Sequence, residues 1–236
     1  MRGWLSLLLC LVSCQTVVRE VTTGQPLVIQ NVYANPTYPH HELFQVLLFP
    51  LQNPLNDEWV HFHRHRLTKR VLSNFGKFHY FSLQYDPQFI LPSEEILNLH
   101  HYDVHRMKLG AIGDQYHVQA VLIMSILDFS PFPPMHLQLH ALLLDANMGE
   151  RIWECKQTFD LRDTEVINRM RLWWNTRRSG GLEKESFTAS LIEPNVFVDF
   201  VFYILAKSYG EVRIENARLL EKAREEWEDS IAKRGS

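Results

Sequence analysis

The chain has 236 residues, of which 46% are hydrophobic and 22% are charged, with 10 Gly and 11 Pro. This composition excludes a disordered, collagen-like or low-complexity protein, and it fits one domain with a substantial core. The formal net charge is −3, from 24 Lys and Arg against 27 Asp and Glu. Because no strong positive field is present to attract a phosphate backbone, nucleic acid is not expected as a partner.

The first fourteen residues carry a targeting pattern. Arg2 supplies one positive charge, and an apolar run at 4–12 then stops at Ser13 and Cys14. A run of about 10 apolar residues is too short to cross a bilayer, which needs about 20, and this order of segments is typical of a cleaved secretory signal peptide. The string Leu-Val-Ser-Cys at 11–14 resembles the lipobox of bacterial lipoproteins. The lipobox resemblance implies a signal peptide at 1–13 and an acylated Cys14; the alternative is an ordinary signal peptide with an incidental cysteine.

The cysteine count agrees with a lipid at Cys14. Cleavage in front of Cys14 removes Cys10, which leaves Cys155 without a partner inside the chain, so no disulfide is expected. Cys155 lies in a strand-like run, where a buried and inert thiol is the favoured interpretation over a nucleophile.

The next segment, 14–41, is polar and interrupted by prolines, which predicts a tether with one short strand at 27–29. A continuous apolar run begins the domain that we predict at 42–209. A charged helix is predicted at 210–236, after that domain.

The predicted elements of the domain alternate in type. The run at 118–127 is rich in branched apolar side chains and predicts a central strand, whereas clean alternation after residue 136 predicts a strand with one wet face. In chain order we predict a strand at 43–49, a helix capped near Asn56 and ending at Gly76, a strand at 78–83, a helix at 102–115, strands at 118–127, 136–144 and 151–159, and helices at 163–178, 195–209 and 211–233. This order indicates an α/β (α+β) fold with a mixed sheet of about five strands packed with helices.

A resemblance to a known superfamily lies in the segment AVLIMSILDFSPFPPMHLQLHALLLDANMGERIWE at 120–154. It resembles the strand–turn–strand–turn–strand core of the penicillin-binding-protein activator B, CsgG and TolB N-terminal-domain superfamily. The residues in register with that pattern are Asp145, Gly149, Glu150 and Trp153. The chain departs from the pattern at Gln119, Ser125 and Met148, where an acid, Gly and Thr are common.

The resemblance implies a TolB N-terminal-domain-like fold and a non-catalytic scaffold. Members of the superfamily are lipid-anchored proteins that dock on cell-wall synthases or build secretion and envelope machines. The resemblance gives Asp145, Gly149 and Trp153 structural roles, and it implies no cofactor. We find no long amphipathic hairpins of the kind that line a pore, so a channel is disfavoured.

Two histidine clusters are the candidates for chemistry. His61 and His65, and likewise His101 and His105, stand four residues apart, which is the spacing of a two-histidine metal site on one helix face. The favoured interpretation is a solvated helix face. Since no nucleophile, phosphate-loop or dinucleotide motif is present either, we expect no enzyme activity. The alternatives are a periplasmic metal-binding protein or enzyme that uses these histidines, and a secretion-machine subunit.

Two segments are candidates for partner binding. Phe132, Pro133 and Pro134 form a Pro-rich turn that we expect to dock together with an exposed sheet edge. In the last helix apolar residues including Trp227 recur at 3–4 spacing, which fits either packing on the domain or a seam with a partner or a second copy. We expect a lipoprotein of the bacterial cell envelope with unnamed envelope partners. Gln15 after the lipidated cysteine favours the outer membrane, facing the periplasm.

Overall fold

The computed structural model describes residues 31–87, 102–178 and 186–234. Cys14, His101 and the strand predicted at 27–29 therefore lie outside the described residues. The strands are β1 (Val32–Ala34), β2 (Gln45–Leu48), β3 (Ser82–Tyr85), β4 (Ala120–Ser130), β5 (His136–Asp145) and β6 (Arg151–Asp160). The helices are α1 (Glu58–Gly76), α2 (Tyr102–Tyr116), α3 (Thr164–Arg178), α4 (Phe187–Ser190) and α5 (Pro194–Arg234), with a 3-10 turn at His40–Glu42.

The described strands form one mixed sheet in the order β1-β6-β5-β4-β2-β3. β2 runs parallel to both β3 and β4, because α1 and α2 return the chain to the same end of the sheet. The other neighbouring pairs, β1–β6, β6–β5 and β5–β4, are antiparallel. Short turns join β4 to β5 and β5 to β6. The predicted mixed sheet is confirmed, with six strands in place of about five.

Helices cover both faces of the sheet. On one face α1, α3 and α5 pack over the alternate residues of β5 that point inward, among them Leu137 and Leu139. On the other face α2 places Leu109 and Ile112 against β2, β4 and β5. The sheet is therefore the middle of three layers, although α2 covers only part of its face.

The N-terminal end of α1 is fixed by its cap. The Asp57 side chain accepts a hydrogen bond from the Val60 amide at 2.8 Å, so the capping residue is Asp57 and not Asn56. Asn56 instead takes a positive φ of 54° in the turn that precedes the helix.

The boundary between tether and domain differs from the prediction of a tether to residue 41. Residues 31–42 pack on the domain: β1 pairs with β6, the Asn216 side chain donates to the Pro36 carbonyl at 3.0 Å, and Arg213 donates to the His41 carbonyl at 3.2 Å. The sequence does not show this, because the partners of these residues lie more than a hundred residues away on β6 and α5. The described domain thus begins about ten residues earlier than residue 42.

His40 is the buried centre of this N-terminal segment. Its ring is 0% exposed, Nε2 donates to the Asn35 carbonyl at 3.1 Å, and the rings of Tyr38 and Tyr209 lie 5.6 and 6.0 Å away, centroid to centroid. Burial lowers the pKa of His40 below its ordinary value, and the nearby charges of Arg213 and His41 lower it further.

We expect this buried histidine to make stability depend on pH. As pH falls below about 6.5, His40 binds a proton in the unfolded chain but stays neutral in the folded protein. The free energy of unfolding therefore decreases as pH falls. His40→Leu should therefore show a smaller loss of stability than wild type between pH 7.5 and 5.5, measured by urea denaturation. His61→Gln, at an exposed histidine on α1, should keep the wild-type slope, and equal slopes in all three proteins would contradict the assignment.

The helix at the C-terminal end of the described chain is continuous. One 41-residue helix, α5, replaces the two helices predicted on either side of Gly210. Its buried stretch ends at Gly210; in 211–228 Asn216 is buried, Val212, Arg213 and Leu220 are half-buried, and the other residues are exposed. The buried part of α5 therefore ends at Gly210, while Arg213 and Asn216 still donate hydrogen bonds to residues 36–41 of the domain.

Candidate functional site

The turn between β4 and β5 presents the predicted partner-binding residues to solvent. Phe132 is 75% exposed, and Pro133 and Pro134 are exposed beside it. Phe129 and Met135 on either side are buried, which fixes both ends of the turn to the core. The apolar tip is thus held outward by a buried base.

One further aromatic side chain lies at the base of this turn. The ring of Trp59, in the first turn of α1, lies 4.7 Å from the ring of Phe129. Trp59 is oriented by His63, whose ring stacks on it at 4.1 Å while its Nδ1 bonds the Trp59 carbonyl. We call the set Trp59, Phe132, Pro133 and Pro134 the loop surface.

The loop surface does not combine with a sheet edge as predicted. The sheet edges are β1 and β3, whereas the turn joins β4 and β5, which are interior strands with neighbours on both sides. Strand addition at this site is therefore wrong as a mechanism, because the backbone groups of both strands are already paired.

The opposite turn, between β5 and β6, offers a comparison. Asp145 accepts hydrogen bonds from the amides of Asn147 and Met148 at 2.9 and 2.7 Å, and Gly149 takes a φ of 66°. The turn-forming roles that the resemblance implied for Asp145 and Gly149 agree with this geometry. Met148 is 64% exposed at its tip and is the apolar side chain that matches Phe132 at the other end of the hairpins.

A polar cluster on the open part of the sheet was not found from the sequence. Glu154 of β6 accepts from His140 at 2.8 Å and from Arg151, and the Arg151 guanidinium lies 3.7 Å above the Tyr33 ring. Burial alone would raise the pKa of Glu154, but the hydrogen bonds from Arg151 and His140 outweigh it and lower the pKa. Alternation in β5 predicted a wet face, but only the register of β5 with β6 and of β6 with β1 brings these residues together.

The histidine clusters are only partly within the described residues. His61 and His65 lie exposed on α1, beside the rings of Phe62 and Tyr85 respectively, at centroid distances of 6.1 and 6.2 Å. The backbone at His105 is helical, and His101 lies outside the described residues. Within 31–87, 102–178 and 186–234, no group of three or more His, Cys, Asp or Glu is placed to hold a metal ion.

Cys155 is buried on β6, as predicted. Desolvation, together with the charge of Glu154, raises the pKa of its thiol to about 12. A thiol with such a pKa is almost entirely protonated at neutral pH and is a poor nucleophile.

Trp227 lies on the exposed end of α5, with 64% of its side chain accessible. The neighbouring charged side chains form pairs along the helix, Lys222 with Glu226 at 3.8 Å and Arg224 with Glu228 at 2.8 Å. Such exposed pairs support a helix that leaves the domain, each by a few tenths of a kcal/mol. Among the helices in the described ranges, none is both long and apolar enough to span a bilayer.

Comparisons with known proteins show similarity of fold alone. No protein-family model matches the chain, and no curated protein matches it in sequence. The PelC dodecamer from Paraburkholderia phytofirmans is 8% identical, with a TM-score of 0.41 over 74% of this chain and 94% of that one. The lipoprotein GNA1162 from Neisseria meningitidis is 13% identical, with a TM-score of 0.35 over 59% and 99%. The C-terminal domain of LpoB from Salmonella enterica is 20% identical, with a TM-score of 0.32 over 49% and 82%.

Proposed function

We propose that the protein is a lipoprotein of the bacterial envelope, anchored through Cys14, whose domain docks on another envelope protein without catalysing a reaction. The observation that carries the docking role is the loop surface, where Phe132 is 75% exposed beside exposed prolines and the Trp59–Phe129 contact lies at the base of the turn. Large apolar side chains grouped on a surface mark interaction sites more often than isolated ones do.

The geometry of the loop surface suits a protein partner. Its base is rigid, because Phe129 and Met135 are buried and β4 pairs with β5 along its length. A rigid aromatic side chain flanked by prolines loses little conformational entropy on binding, which favours affinity. Phe132 is therefore the side chain that we expect to enter a pocket of the partner.

The states of the Cys155 thiol and the Glu154 carboxylate support the proposal of a non-catalytic role. The thiol of Cys155 is buried and protonated, and the carboxylate of Glu154 is held by both His140 and Arg151. A carboxylate that already accepts these hydrogen bonds is a weak base. The polar cluster thus stabilises the pairing of β5 with β6 and β1 rather than accepting protons.

Photo-crosslinking in intact cells tests the docking role. A photoreactive phenylalanine analogue at Phe132 should give a crosslinked adduct with one or a few envelope proteins, identified by mass spectrometry. The same analogue at Met148, which is similarly exposed but lies at the opposite turn, should give none of these adducts. The proposal fails if the two positions yield the same adducts, or if position 132 yields none in cells that express the protein at its normal level.

A further inference from the structure

The outward face of α1 is basic and aromatic. Phe62 is 81% exposed, and one or two helical turns further on His65, Arg66 and Lys69 are exposed on the same side. Neither Arg66 nor Lys69 has a salt-bridge partner among the described residues. Glu58, at the beginning of the helix, is the acidic side chain exposed on this side. We call Phe62, His65, Arg66 and Lys69 the α1 face.

The exposed end of α5 carries an acidic segment around an aromatic residue. The string Glu-Glu-Trp-Glu-Asp at 225–229 gives Trp227 four acidic neighbours in sequence, within one and a half helical turns. Glu226 and Glu228 lie on either side of Trp227 around the helix, and their pairs with Lys222 and Arg224 are exposed ones that solvent weakens. An aromatic side chain flanked by acids is complementary to the α1 face.

The two surfaces cannot meet within one chain. α5 packs beside the second half of α1, where Arg70 pairs with Asp199, and it then passes Tyr80, whose ring lies 5.8 Å from that of Tyr209. It therefore leaves the domain beyond the C-terminal end of α1, whereas Phe62 lies in the first half of α1. From Asn216 to Trp227 the helix extends about 16 Å farther, at 1.5 Å per residue.

We infer that the protein self-associates head to tail, with the end of α5 from one copy on the α1 face of the next. Trp227 of one copy packs against Phe62 of its neighbour, and Glu226 and Glu228 pair with Arg66 and Lys69. A contact between two different surfaces leaves each copy with one free surface of each kind, so it adds further copies and forms a ring where the rotation closes. The loop surface takes no part, so docking on an envelope protein and self-association are separate properties.

Sedimentation velocity of the purified full chain tests the inference. The average mass should rise with protein concentration and fall as salt is raised from about 50 mM to about 500 mM, because the contact is largely ionic. The variant Arg66→Glu/Lys69→Glu and the variant Glu226→Lys/Glu228→Lys should each remain monomeric. Lys156→Glu, an exposed lysine on the opposite face of the sheet, should associate like wild type.

Mixing the two double variants gives the most specific result. One variant carries two acidic surfaces and the other two basic ones, so an equimolar mixture should recover association that neither shows alone. This recovery also shows that both variants are folded. Association that survives in Arg66→Glu/Lys69→Glu would mean that α5 pairs with another α5, and it would overturn the inference, as would a monomeric wild type or a mixture that stays monomeric. None of these outcomes bears on the crosslinks from position 132.

Discussion

Replacing Trp153 by alanine is expected to lower the free energy of unfolding by about 3–5 kcal/mol. Trp153 is 0% exposed; its backbone pairs with Ala34 of β1 and Leu143 of β5, and its ring lies 5.6 Å from that of Tyr209 on α5. The cavity would therefore open between four elements at once. Since domains are stable by only about 5–15 kcal/mol, this single change removes a large share of the total, which urea denaturation would measure.

Two companion variants identify the cause of that loss. Met148→Ala removes an exposed apolar side chain from the adjacent turn and should change stability by no more than about 0.5 kcal/mol. The indole nitrogen of Trp153 has no hydrogen-bond partner among the described residues, so Trp153→Phe removes volume but no hydrogen bond. Its loss of stability should therefore lie between those of Met148→Ala and Trp153→Ala. A Trp153→Ala protein within about 1 kcal/mol of wild type would contradict the packing role.

The sequence predicts those elements whose side chains alternate between core and solvent. Strands β4, β5 and β6 lie within two or three residues of the predicted ranges, because long apolar runs and turn residues mark them locally. β1 was missed because three residues in a polar segment have no periodicity to read. It is a strand only because Val32 and Ala34 find partners in Cys155 and Trp153, more than a hundred residues away.

Gly210 shows how a local signal can mislead. A glycine between two helical patterns predicts a helix end, yet α5 continues through it. A Cβ atom at this position would overlap the hydroxyl of Tyr80, so the glycine allows close packing rather than a change of direction. Close packing of this kind depends on a distant residue, which no local pattern reports.

For the candidate surfaces too, the sequence predicts local features but not long-range contacts. A Pro-rich turn between two strands indicates an exposed tip, and Phe132 is exposed. The sequence does not reveal that Trp59 lies at the base of this turn, because the Trp59–Phe129 contact joins α1 to the end of β4. The sequence likewise showed the charges of α1 and α5, but their separation at opposite ends of the helix pair appears only with the fold.

Replacing Cys14 by serine is expected to abolish lipid attachment completely. The thiol is the acceptor that the lipobox resemblance implies, and a hydroxyl does not take its place in that reaction. Cells grown with an alkyne-labelled fatty acid should yield labelled wild-type protein and unlabelled Cys14→Ser protein. Cys155→Ser is the matched control: its thiol is buried on β6, so the label should stay at the wild-type level.

The position of β1 limits the reach of the proposed anchor at Cys14. The described domain begins at Asn31, and the chain between Cys14 and Asn31 spans at most about 60 Å when fully extended. A tether to residue 41 would have allowed about 90 Å, so with the proposed anchor at Cys14 the packing of 31–42 on the domain would hold its surfaces closer to the membrane. If the Cys14→Ser protein keeps its fatty-acid label, or if wild type never acquires one, the anchor and the limit that it sets on the choice of partner both fail.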